Sequence, residues 1–248
     1  TDKLNKTIDA MNKGIPIICH GVLHNNNNNT FGIPDLIVRS DFINKITEKN
    51  NISDEDIKKG SLFNKNWHYR IIEIKFTTLK INNDYILNTG SISSYKSQAI
   101  IYNDALAKIQ NYNPNISYLF GRKININERK YIGFYKLGTI NCNKKDKLIK
   151  NKTDDAINWI RNLKKYGQEW SIDPPSRIEL YPNMSNRSDY PWNGVKKQIS
   201  KKNKEITLLW NCGPKDRKQA FNKNIYKWNH KKCNDKLFGL SNTNGNIL

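Results

Sequence analysis

Gly32-Ile33-Pro34-Asp35-Leu36-Ile37-Val38 and Tyr69-Arg70-Ile71-Ile72-Glu73-Ile74-Lys75-Phe76 decide how the chain is read. Each sets an acidic residue in a run of apolar, mostly β-branched neighbours, so each predicts a strand. Side chains alternate along a strand, which puts Glu73 and Lys75 on one face and Ile72, Ile74 and Phe76 on the other. One acid from a first strand, with an acid and a lysine from a second, suits a divalent cation held beside a phosphodiester. Carboxylate oxygens prefer Mg²⁺ or Mn²⁺. Such an ion polarises a phosphate and activates bound water, and a nearby ammonium can place that water and offset developing negative charge. Taken one at a time, the same residues have plainer roles: an Asp at a strand start is ordinarily a turn residue, and Glu-x-Lys a solvated face.

A third segment sharpens the reading. Gln98-Ala99-Ile100-Ile101-Tyr102 lies in a helical stretch, roughly Ser91 to Tyr112, which places Gln98 and Tyr102 one turn apart on one face. Pro34-Asp35, Glu73-Ile74-Lys75 and this QxxxY, in that order, resemble the motifs of the PD-(D/E)XK nucleases, and QxxxY resembles that of their RecB-type, lambda-exonuclease-like branch. The resemblance covers roughly residues 14 to 140. The Asn- and Lys-rich composition also resembles that of giant-virus proteins. The resemblance implies an α/β core, a mixed central sheet flanked by helices. It implies a Mg²⁺- or Mn²⁺-dependent deoxyribonuclease, an exonuclease by the habit of the branch, leaving 5′-phosphates. Asp35, Glu73 and Lys75 would be catalytic; Asp35, Glu73 and the Ile74 carbonyl would hold metal; Gln98 and Tyr102 would hold substrate. The family often adds a His upstream of the Asp, usually on a helix. The N-terminal helix has none, which leaves His20, on an expected strand, as the candidate ligand. Some RecB-type nucleases hold an iron–sulfur cluster on four cysteines. Cys19, Cys142, Cys212 and Cys233 match in number and order, but no C-x-x-C is present, so separate thiols are expected. Three alternatives stay open: a DNA-binding module on an inactivated nuclease core, an RNA-cleaving enzyme of the same fold, and, as in ring-forming relatives, a homo-oligomer.

Composition narrows the setting. The 248 residues suffice for one large domain or a core with an appendage. Hydrophobic residues make up 37%, and the mean hydropathy of −0.78 predicts no transmembrane helix. No signal peptide is visible, and the chain begins at Thr1 rather than Met, as a piece of a longer protein would. Dispersed cysteines fit a reducing compartment, hence the cytoplasm of a cell or an infected host. The net charge of +20 calls for a polyanionic partner, DNA in single- or double-stranded form, with a membrane disfavoured. Residues 1–140 carry 19 basic and 12 acidic residues, and residues 141–248 carry 23 and 10. The chain therefore divides on paper into a nuclease core, 1–140, and a basic helical extension, 141–248, which is the expected backbone grip.

Along the chain, residues 1–13 predict an amphipathic helix with Leu4, Ile8 and Met11 on one face, ended by Gly14. Ile15 to Leu23 predicts one strand, Asn25 to Asn29 a mobile loop, and Asp35 to Phe42 the first motif strand. Ser53-Asp54-Glu55 begins a short helix, Trp67 to Leu79 is the second motif strand, and Ile81 to Gly90 a loop. Ile116 to Phe120 and Lys130 to Leu137 predict a hairpin. Lys144 to Lys152 reads as an exposed linker. Thr153 caps a helix to about Tyr166, with Ile157, Ile160 and Leu163 inward. Pro174, Pro175, Pro182 and Pro191 forbid a long helix between Trp170 and Trp192, whose aromatics could stack on bases but more often clamp a loop. The rest is helical in pattern to Leu240, and the final eight residues are expected to be disordered. Glu205 to Trp228 resembles a degenerate helix-hairpin-helix, with Pro214 at a first helical position and Lys215, Arg217 and Lys218 offered to phosphate; Cys212 stands where the first glycine belongs.

Overall fold

The computed structural model describes residues 2–60, 65–88 and 92–239. The chain divides into two compact units, Thr1–Asn162 and Leu163–Leu248. The division falls beyond the expected one at residue 140, because most of a long helix, Lys147–Tyr166, belongs with the first unit.

That first unit is a mixed α/β layer structure. Helix α1 (Asp2–Asn12) leads into β1 (Ile17–Cys19), β2 (Leu23–Asn25), β3 (Thr30–Gly32) and β4 (Leu36–Arg39). Short α2 (Ser40–Ile43) and α3 (Asp54–Ile57) precede β5 (Tyr69–Lys80). Helix α4 (Ser93–Ile109) returns the chain to β6 (Ile116–Ile126), followed by β7 (Arg129–Ile132), β8 (Leu137–Asn141) and α5 (Lys147–Tyr166). The main sheet runs β1-β4-β5-β6-β7, with β8 also on β6. Among the described strands only the β5–β6 pair is parallel, and α4 is the crossover it requires. Alternate residues of the central strands serve opposite faces. Ile37 and Ile71 meet Met11 of α1 and Leu106 of α4. Val38, Ile72 and Tyr118 meet Ile43 and Ile52 on the other side. Both faces of the strand are covered here, so Tyr69–Ile72 is buried without a break, Arg70 included, whose guanidinium donates to His68 Nε2 at 2.9 Å and Tyr118 Oη at 2.8 Å.

Several boundaries differ from the sequence expectation for local reasons. Ile15 to Leu23 is not one strand. His20 adopts φ 51°, its amide donates to Asp35 O at 3.0 Å, and the chain leaves the main sheet there. Beyond it, β2 pairs with β3, so Asn25–Asn29 forms the turn of a hairpin rather than a free loop. The first motif strand stops at Arg39, and Ser40 to Ile43 is helical. Helix α5 begins at Lys147, so Thr153 lies inside it and bonds Ser97 Oγ and Ile149 O, each at 2.8 Å. Ile160 and Leu163 are exposed, not inward. Lys144 to Lys152 hides its purpose from sequence reading because Asp146 is fully buried on a partner fifty positions away, Lys96, at 2.5 Å.

The second unit holds α6 (Asn193–Asn203), α7 (Pro214–Phe221) and α8 (Asp235–Phe238), linked by irregular segments. Its own core gathers Ile206, Cys212, Ala220, Ile225 and Leu237. The final eight residues lie outside the described ones. Among the described residues no helix is long and apolar enough to cross a membrane.

Candidate active site

Strands β4 and β5 run antiparallel with Leu36 opposite Ile72, so Asp35, one residue before β4, lies opposite Glu73. The two are tied directly. Asp35 N donates to Glu73 Oε2 at 3.3 Å, and Ile74 N donates to Asp35 Oδ2 at 2.7 Å. Pro34 supplies no competing donor and fixes the backbone entering this junction. Lys75, on the same face as Glu73, donates to Glu73 Oε1 at 2.8 Å and to Gln98 Oε1 at 2.7 Å. Gln98 Nε2 then donates to Tyr102 Oη at 2.8 Å. An ammonium has donors only, so the amide oxygen of Gln98 must face Lys75 and its NH₂ must face Tyr102. Tyr102 therefore accepts within the chain and keeps its own O–H proton for an outside acceptor. Its ring lies on Gly32, where a Cβ would fall 2.0 Å from Cε1.

The structure thus brings five of the expected residues, Asp35, Glu73, Lys75, Gln98 and Tyr102, into one hydrogen-bonded chain from the sheet to α4. Ile74 joins through its N–H. Glu73 is 4% exposed, so its charge is held by Lys75 rather than by water. Two oxygens carry little internal demand: Asp35 Oδ1 and the weakly bonded Glu73 Oε2. Mg²⁺ and Mn²⁺ bind through one or two carboxylates while keeping waters and taking substrate oxygens. The pair fits that habit. Among the described residues no group of three or more His, Cys, Asp or Glu is arranged to hold a metal. His20 Nε2 stands 3.8 Å from Asp35 Oδ1 with a 74% exposed side chain, beside the pair but not drawn into a three-residue set.

The remaining cysteines and cations fall elsewhere. Cys142 packs in the core of the first unit, where burial pushes its thiol up to about 11. Cys212 and Cys233 pack in the core of the second, and Cys19 is exposed. Lys215 and Lys218 are exposed on α7. Arg217 is a correction: it turns inward, 3.0 Å from Glu205 Oε1, and donates to Tyr181 O at 3.1 Å and Pro182 O at 3.2 Å. Pro214 does open α7, but Asp216 Oδ2 accepts from Gly213 N at 2.8 Å, so a carboxylate already occupies the anion position at that helix end. The preceding apolar helix of the expected motif is a single 3₁₀ turn, Ile206–Leu208. Tyr181 packs edge-on to Phe221 at 4.9 Å, the clamping role, while Tyr190 and Trp192 remain exposed.

Sequence reasoning missed the Ile74 amide, the flat seat of Tyr102 on Gly32, and the Lys96–Asp146 anchor of α4. Only Gly32 had a visible signal, and it reads equally as a turn glycine. No protein-family model matches the chain, and no curated protein matches its sequence.

Proposed function

We propose that the chain is a Mg²⁺- or Mn²⁺-dependent deoxyribonuclease with a PD-(D/E)XK core of the RecB-type branch, cleaving phosphodiesters to leave 5′-phosphates. The observation that carries the reading is the Lys75 ammonium held between Glu73 and Gln98, with Asp35 opposite on the neighbouring strand. A solvated Glu-x-Lys pair would not be bridged to the helix that follows its strand. A bound Mg²⁺ or Mn²⁺ would polarise the phosphate and activate water, and Asp35 and Glu73 would hold it. Lys75 donates from a fixed position toward the attacking water or the phosphate charge, because Glu73 and Gln98 leave its ammonium one direction to point. Gln98 sets that position, and Tyr102 offers its hydroxyl proton to a substrate oxygen.

The test is cleavage of end-labelled single- and double-stranded DNA against added Mg²⁺ or Mn²⁺. Asp35→Asn and Lys75→Ala should each lower the rate at least ~100-fold while leaving DNA binding in EDTA unchanged. Full activity in either variant, or in excess EDTA, refutes the assignment. Binding without cleavage at any metal concentration would leave a DNA-binding module.

A further inference from the structure

Beside the catalytic cluster, and unused by it, lies an open cavity of about 510 Å³ between α4, α5 as far as Arg161, and β3. Its floor is apolar, built from Ile101, Ile157 and Ile160, with Ile160 44% exposed. Its rim carries Lys152 and Arg161 and the hydroxyls of Ser94 and Ser97. No Asp or Glu lines it. Among the described residues Lys152 has no acidic partner, and Arg161 spends donors only on the neutral carbonyls of Asn28 and Asn29, so both charges stay uncompensated. The volume is that of a ligand pocket. Ser97 and Ile101 each directly precede a site residue, Gln98 and Tyr102, so the cavity wall and the catalytic stripe are adjacent faces of one helix, about 100° apart. Thr30, also in the wall, is two residues from the Gly32 seat of Tyr102.

An apolar floor rimmed by two cations without acidic partners, and by hydroxyls, complements a flat, weakly polar ring attached to an anion. We infer that this cavity receives an unpaired nucleobase of the substrate strand, with Lys152 and Arg161 on its flanking phosphates; the inference rests on the nuclease reading above and narrows its substrate to single-stranded or frayed DNA. A paired base is stacked and hydrogen-bonded within the duplex and cannot offer its face to Ile157 and Ile160.

The experiment is fluorescence anisotropy of the full chain in EDTA with a labelled single strand and with the matching blunt duplex. Ile160→Gln makes the floor polar from an exposed position, and Ala156→Gln fills the cavity from another. Each should weaken single-strand binding on the order of tenfold, the worth of one base contact, and leave duplex binding unchanged. Lys152→Ala should flatten the salt dependence on single strands by about 0.7 in slope, one phosphate contact. Equal loss on both substrates, no loss on either, or no single-strand binding by the wild type overturns the inference. Cleavage separates the two readings. If metal-dependent cleavage persists while the cavity variants show no strand-selective loss, the cavity reading alone falls. If the strand-selective loss appears but no metal supports cleavage, the nuclease reading alone falls.

Discussion

Lys96 and Asp146 are both fully buried, 2.5 Å apart, and they fix α4 to the turn that opens α5. Lys96 Nζ also approaches Leu87 O at 3.4 Å, and Asp146 Oδ2 accepts from Asn141 N at 2.9 Å. Lys96→Met keeps the volume and removes the ammonium. It leaves a carboxylate with one backbone donor in place of its counter-ion. Breaking a buried pair from one side costs about 3–5 kcal/mol, because the remaining charge cannot regain its water. Against a domain stability of about 5–15 kcal/mol, that is a large share. Lys96→Met with Asp146→Asn removes both charges and keeps an acceptor for Asn141 N, so it should recover most of the loss and leave within about 1–2 kcal/mol of wild type. Urea unfolding gives the free energies, and hydrogen exchange at the α4 amides places the loss on that helix. A cost under about 1 kcal/mol in Lys96→Met, or a double variant no better than the single, would refute the reasoning. Since Lys96 sits two residues before Gln98, Lys96→Met should also lower DNA cleavage by more than its folded fraction explains, with the double variant restoring it.

Gly32→Ala puts a methyl group where the Tyr102 ring lies; it should cost about 1–3 kcal/mol and lower cleavage by displacing the hydroxyl, read by denaturation and rate together. Tyr102→Phe keeps the ring on Gly32 and removes only the proton donor, so it should weaken turnover without loss of stability; wild-type kinetics would reduce Tyr102 to packing. Burial first, and the Arg70 charge second, hold the His68 imidazole at about 4, against an ordinary 6.5. The unfolded chain therefore binds the extra proton first as pH falls. The contribution of His68 is fully present above pH 6.5, declines toward pH 4 and totals about 3 kcal/mol, so its NMR signals should show no titration near 6.5.

The strands and α4 were legible because their instructions are local. Tyr69, Ile71, Ile72 and Ile74 put β-forming residues on both parities around Arg70 and Glu73, and Ser93 to Ile109 holds no Pro or Gly to break a helix, so neither needs knowledge of a distant partner. The breaks were not legible where a distant group sets them. His20 leaves its strand because its amide finds Asp35 O and because Gly21 must pass close to Ile37 and Thr7. Helix α5 starts early because Lys96 draws Asp146 inward. The site followed the same rule. Strand parity gave Glu73 and Lys75 a common face, but the bridge from Lys75 to Gln98 depends on how α4 lies across β5.

Charge counted by chain position does not say which cations are available, for a related reason. Counting cations favours residues 141–248, yet a cation attracts phosphate only where it is exposed and uncompensated. Arg217 is spent on Glu205, Lys196 is paired with Asp189, and Lys202 lies 2.6 Å from Asp173. The end of α7 that should face phosphate is already satisfied by Asp216. Lys152, also within 141–248 but in the stretch that reads as linker, stands free of acids on the wall of a cavity one helical stripe from Gln98. On the proposed reading, a few such cations at the right place would hold a strand in register over the reacting phosphate, whereas scattered lysines would raise only the local concentration of DNA. For that reason Lys152→Ala should change the rate on single strands more than Lys215→Ala does, although each removes one charge; equal effects would return the grip to bulk charge.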